Sequence, residues 1–196
     1  MRRLVIGIAV LAILVAVVCA YALTVIPIKQ RIPMLEIVEG TSKMIDVSSG
    51  NFKNGGVLPI RYTLMGDDVS PQLSWSNVPK GAKSLMVVMY DPDAPKGIFI
   101  HWLIYNIPVN LTGLPENIPK RAVVEGFGVQ ALNDFNRVGY NGPYPPSGET
   151  HRYVFMVIAL DVPKLDVPAG SSAWSVLKAA EGHVLAYGYT YALFKR

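Results

Sequence analysis

Tyr153-Val154-Phe155-Met156-Val157-Ile158-Ala159-Leu160 is an unbroken apolar run in which aromatic and β-branched side chains dominate. A strand with one wet face alternates apolar and polar residues, so a run that is apolar at every position reads as a strand covered on both faces. A second layer must pack against it. Upstream, Ser84–Tyr90 and Trp102–Ile107 repeat the signal. Val57–Tyr62 and Val184–Phe194 extend it more weakly, and Pro, Gly and Asn punctuate the gaps. Ser171 or Ser172 can cap a helix running through Trp174, Val176, Leu177 and Ala180 and ending near Gly182. It is the one clear helix in the body of the chain, so the fold class is mostly β.

The 196 residues allow one domain plus an appendage. From Leu4 to Ile26 no residue is charged, and about 20 apolar residues suffice to cross a bilayer as a helix. The division expected is residues 1–28 as a membrane anchor or uncleaved signal, 29–43 as a tether, and 44–196 as the domain. Arg2 and Arg3 precede the span and place the domain outside the cytoplasm, as a single-pass membrane protein. Cleavage near Ala20 to Ala22 would make it secreted instead. The lone cysteine, Cys19, lies inside the span, which leaves the domain without a disulfide, a thiolate metal cluster or a cysteine nucleophile.

The formal charge is +4, and leaving out Arg2 and Arg3 reduces it to +2. So mild a balance, with no basic run interleaved with aromatics, argues against nucleic acid as a partner. Asn110-Leu111-Thr112 matches a glycosylation acceptor, a short pattern that fits an external domain.

Two of the three histidines sit beside carboxylates and proline turns. Asp91-Pro92-Asp93-Ala94-Pro95 is followed by His101-Trp102, and Gly142-Pro143-Tyr144-Pro145-Pro146 by His151-Arg152-Tyr153. Side chains alternate along a strand, so His151 and Tyr153 share a face, Arg152 takes the other, and His101 shares a face with Leu103. If the two strands are neighbours, both imidazoles enter one cavity, with Asp91 or Asp93 close enough to fix a ring tautomer. An imidazole bonded to a carboxylate favours its charged form, and its other N–H can face an anion such as phosphate. Pro145 and Pro146 supply a rigid apolar wall. Arg152 reads as the partner of one aspartate, bracing the site from behind. His183 reads as a residue of the helix end, and Trp75, Trp102 and Trp174 as core aromatics.

At these motifs the chain resembles the phosphatidylethanolamine-binding protein family, also known for the Raf kinase inhibitor protein, and its bacterial and archaeal branch in particular. Ser70-Pro71-Gln72-Leu73-Ser74-Trp75, Tyr105-Asn106-Ile107-Pro108 and Glu181-Gly182-His183-Val184-Leu185-Ala186 support the likeness, which runs from about Met44 to the C-terminus. The resemblance implies a β-sandwich with a large antiparallel central sheet, a smaller second sheet and a C-terminal helix. It also implies a pocket lined by Asp91, Asp93, His101, Pro146, His151 and Tyr153. In the family that pocket accepts phosphate-like anions, phospholipid head groups among them, and members regulate kinases or serine proteases.

Three functions compete. The first is a non-enzymatic, regulatory anion-binding module tethered to the membrane, using no cofactor and no metal. The second is a serine protease inhibitor acting outside the cell membrane through its surface, although no reactive loop is visible. The third is a hydrolase or lyase with His101 or His151 as general base and Asp91 as orienter, or a zinc site built from the same aspartates and histidines. It lacks a Gly-x-Ser-x-Gly elbow and a thiol, so covalent catalysis has no nucleophile in sight. The first reading is preferred.

Overall fold

The structure, a computed structural model, describes residues 35–42 and 44–196. In chain order its strands are β1 (Asp46–Ser48), β2 (Leu73–Ser76), β3 (Ser84–Asp91), β4 (Phe99–Pro108), β5 (Gly113–Leu114), β6 (Val123–Val124), β7 (Gly128–Gln130), β8 (Thr150–Leu160) and β9 (Val184–Lys195). One helix, α1 (Ala173–Ala180), precedes β9. The larger sheet has the order β6-β7-β4-β3-β8-β9 and the smaller β1-β2-β5, with antiparallel pairing throughout.

The apolar run of β8 lies between β3 and β9, and every residue from Tyr153 to Leu160 is buried. Leu85, Val87 and Met89 of β3 pack with Phe155 and Val157 of β8 and with Leu73 and Trp75 of the smaller sheet, forming the core between the two sheets. Met86, Val88 and Tyr90 point to the opposite face and are equally buried. That face is covered by α1, which packs on β4 through a buried stripe of Ala173, Val176, Leu177 and Ala180. Burying each such large apolar side chain contributes about 1.5–3 kcal/mol, which is why both faces of β3 and β8 are apolar. Ser172 is the helix cap: its Oγ accepts from the Ser175 N–H at 3.1 Å.

One irregularity positions the site. Met89 pairs with Trp102 and Tyr90 with Ile100, so His101 is an extra residue in β4 with no partner in β3. Such a bulge re-aims the inserted side chain. The His101 ring meets Tyr153 edge-on, on the face that also carries Trp102. Strict alternation would have sent it to the other side with Leu103, and the bulge corrects that expectation.

Other expectations change as well. Val57–Tyr62 is no strand: Val57 makes an isolated bridge to Leu193, and after Pro59 the chain turns into a 3-10 helix at Ile60–Tyr62. Trp174 is half exposed on α1, its indole N–H donating to Asp134, whereas Trp75 and Trp102 are core residues as expected. Residues 35–42, read as part of the tether, fold onto the domain with Leu35 and Val38 buried. The single-pass membrane topology is also corrected: among the described residues no helix is long and apolar enough to cross a membrane. The segment Leu4 to Ile26, with the rest of the expected anchor, lies outside the described residues.

Candidate functional site

At the end of β3 the chain makes a turn held by its own carboxylate, Asp91 Oδ1 accepting from the Asp93 N–H at 2.8 Å. This turn, the start of β8, the bulge of β4 and the segment Tyr144–Pro146 enclose a cavity of about 330 Å³. Small-molecule sites usually span about 300–1,000 Å³, so the cavity suits a small guest. Asp91, His101, His151 and Tyr153 form a buried polar floor. Ala94, Pro95, Phe99, Phe135, Tyr144, Pro145 and Pro146 make apolar walls, and Arg196 stands at the rim.

The two imidazoles differ. His151 Nδ1 lies 2.7 Å from Asp91 Oδ2, and its Nε2 lies 3.1 Å from Glu149 Oε2. Ionised carboxylates only accept, so with both in that form each ring nitrogen donates and the ring is an imidazolium. Burial opposes that charge, but the hydrogen bonds the ring donates to Asp91 and Glu149 outweigh it and hold the pKa above the ordinary imidazole value. Burial likewise raises the Asp91 carboxyl, against the opposing pull of His151 and the Asp93 N–H. We place the shared proton on His151, because the ring faces two carboxylates and Asp91 keeps a second donor.

His101 donates from Nδ1 to the Asn141 carbonyl at 2.8 Å. Complete burial depresses its pKa to about 4, only partly offset by backbone hydrogen bonds. It is neutral at physiological pH, which leaves Nε2 able to accept. Phe99, Phe135 and Tyr153 surround its ring edge-on, with centroids at 5.2, 5.3 and 5.3 Å. Tyr153 is wholly buried, and its hydroxyl has no hydrogen-bond partner among the described residues. Burial, with the negative charges of Asp91 and Asp93 and a side-chain approach to the Asp91 carboxylate that falls short of hydrogen-bond geometry, pushes its phenol well above the usual value, so it remains a donor.

Of the six residues expected at the pocket, Asp91, His101, Pro146, His151 and Tyr153 line it. Asp93 does not. Its carboxylate takes the Arg152 backbone N–H at 2.9 Å, the guanidinium Nε at 2.8 Å and an Nη2 hydrogen bond besides. Arg152, on the face of β8 away from His151, is thus the brace that the sequence suggests, with Asp93 as its partner. His183 lies at the end of α1, within 2.9 Å of Asp161.

The proline-rich loop is fixed from below. Gly142 donates to Asp68 Oδ1 at 2.7 Å and passes so close to Tyr62 that a Cβ would stand 2.2 Å from its carbonyl oxygen. Only glycine fits. Asn133 holds the neighbouring loop: its Nδ2 reaches the carbonyls of His101 and Gly139 and the side chain of Asn141, while its Oδ1 accepts from the N–H groups of Phe135 and Arg137.

The phosphatidylethanolamine-binding protein profile matches residues 48–195, a stretch that contains every residue of the buried floor. The chain belongs to the phosphatidylethanolamine-binding protein family. Bacterial and archaeal proteins are among its relatives. It is 46% identical over 154 residues to a UPF0098 protein of Aquifex aeolicus, covering 78% of this chain and 90% of that one. It is 40% identical over 153 residues to the UPF0098 protein YbhB of Escherichia coli, covering 74% and 97%. Among solved structures, E. coli YbcL, described as a new member of the mammalian family, superposes with a TM-score of 0.73 at 34% identity over 78% of this chain and 99% of that one. The Chlamydia trachomatis homolog CT736 gives 0.69 at 35% identity, over 79% and 99%. Membership supports a ligand-binding module.

Several residues around the cavity have no counterpart in the sequence-based expectation. Phe99, Phe135, Tyr144, Glu149 and Arg196 all touch the cavity or its floor. The period of two from His151 back to Glu149 was an available signal. Phe135 and Arg196 gave none, because a loop and a chain end bring them in.

Proposed function

We propose that the cavity binds a phosphate-like anion reversibly and without turnover. The observation that carries this reading is the Tyr153 hydroxyl, a buried donor with no partner among the described residues, which lines the same cavity as the cationic His151. An unsatisfied buried donor costs about 1–3 kcal/mol, and an anionic oxygen beside it recovers that cost while meeting the imidazolium charge. The apolar walls strengthen both interactions by keeping water away. Phosphate suits the floor better than carboxylate: it offers oxygens to both donors, and its monoanion has an O–H for the accepting Nε2 of His101.

Among the described residues no serine, threonine, cysteine or lysine lines the cavity, and Asp91 is occupied as the partner of His151. Binding rather than catalysis is the role these groups serve. Tyr144 and Arg196 stand at the rim, where occupancy of the cavity would be read by a regulated partner. Calorimetric titration with inorganic phosphate tests the reading. Millimolar or tighter binding is expected from the wild-type chain, with a loss of at least tenfold in Tyr153→Phe. Absence of heat at millimolar phosphate would overturn it.

A further inference from the structure

The Glu149 carboxylate meets the ring nitrogen of His151 that Asp91 leaves unbound. Glu149 is the last residue before β8, one strand period from His151, and closes the turn Pro146–Glu149 through its N–H to the Pro146 carbonyl at 3.2 Å. Within that turn Gly148 has φ +85°, and its N–H donates to the Arg196 carbonyl at 2.8 Å. The side chain of Glu149 is 57% exposed, yet its Oε2 lies 3.1 Å from the Nε2 of the nearly inaccessible His151. Nδ1 is already committed to Asp91, so Nε2–H is the single donor that His151 can offer a ligand.

Charge counting points the same way. Asp93 and Arg152 neutralise each other behind β8. Among the side chains at the cavity and against its floor, the cations His151 and Arg196 are matched by the anions Asp91 and Glu149.

We propose that Glu149 is a built-in competitor for the anion, its carboxylate occupying the Nε2–H of His151 until a ligand oxygen displaces it. This rests on the anion reading above. Binding is then an exchange of one anion for another at a fixed donor, and the affinity measured is the difference between the two. The exposed side of Glu149 gives the carboxylate room to leave without disturbing the buried floor. Arg196, whose guanidinium stacks on the Tyr144 ring 4.3 Å from its centroid, is the cation left to meet the additional charge at the rim.

The alternative is that Glu149 supports the site by keeping His151 charged. The two roles predict opposite signs for Glu149→Gln, which removes the charge and keeps the size. Calorimetry with inorganic phosphate at pH 7, on wild-type protein and on E149Q, reads that sign. A competitor predicts binding about tenfold tighter or more in E149Q. It also predicts that phosphate shifts the Glu149 carboxyl resonance in the wild-type protein as the side chain leaves the ring. Equal or weaker binding by E149Q overturns the competitor and leaves the anion reading standing. Failure of both proteins to bind overturns the anion reading and the competitor with it.

Discussion

His151 Nδ1 lies 2.7 Å from Asp91 Oδ2 across sixty residues of sequence, and this buried contact joins the end of β3 to the start of β8. Both side chains are almost inaccessible. The pair therefore sets the charge of the cavity floor as well as tying two strands together.

Replacing Asp91 with asparagine keeps the size and removes the carboxylate that raises the His151 pKa. The His151 value should fall. Phosphate affinity at pH 7 should drop about tenfold or more, since a charge-assisted bond becomes a neutral one. In the wild-type protein binding should fade as pH rises through the raised His151 value, and in Asp91→Asn the fade should come at lower pH. The contribution of the His151 ring to stability has the same sign. It is present below the unfolded imidazole value of about 6.5 and is lost as pH rises through the folded one. Titration of the ring by NMR, with and without phosphate, checks both statements, and identical curves for the two proteins would refute them.

Tyr153→Phe should separate stability from binding. Removing a hydroxyl that has no partner among the described residues relieves an unsatisfied buried group, so the variant should be as stable as the wild type or more so. Chemical denaturation measures that term and calorimetry the binding. A variant less stable by more than about 1 kcal/mol would mean that the hydroxyl has a partner in the folded protein.

Asp93→Ala should do the reverse. The Asp93–Arg152 contact is bidentate and mostly shielded from water, so its loss should cost about 1–3 kcal/mol in urea denaturation. Phosphate affinity should remain within a few-fold of wild type, because Asp93 does not line the cavity. A large affinity loss with little change in stability would return Asp93 to the list of ligand contacts.

His101 should be an acid-sensitive element. Its folded pKa is about 4, while an unfolded histidine titrates near 6.5. Below about 6.5 the unfolded chain takes up a proton that the folded ring refuses, so this contribution is intact above that pH and is lost as pH falls toward 4. The difference amounts to about 3 kcal/mol. His101→Gln should flatten that part of the acid slope when thermal midpoints are compared between pH 7 and pH 4. Parallel slopes for the two proteins would sink the assignment.

How far the sequence carries a reader depends on whether a residue's direction is decided locally. The burial of Tyr153–Leu160, the cap at Ser172 and the shared face of His151 and Tyr153 follow from composition and strand period, and all are legible. The Arg152 brace is legible too. Its partner is not, because Asp91 and Asp93 look alike in sequence. A turn closed by Asp91 itself sends Asp93 to the far side of β8. His101 defeats strict alternation because its direction is set by the count of residues in β3, the strand it pairs with. Phe135 enters on a loop whose shape is dictated by the hydrogen bonds of Asn133, contacts that no local pattern announces. Val57–Tyr62 has the composition of a strand, but Pro59 and the following 3-10 turn claim its backbone.

The unmatched residue in β4 has one more consequence. Because the His101 ring owes its orientation to a mismatch in length between two strands, gaining one residue in β3 opposite it would restore regular pairing and swing the imidazole toward α1. The sheet would still close, and every side chain named here would remain in the chain. A homologue could in this way lose the function by an insertion alone, while a search for its motifs still found them all.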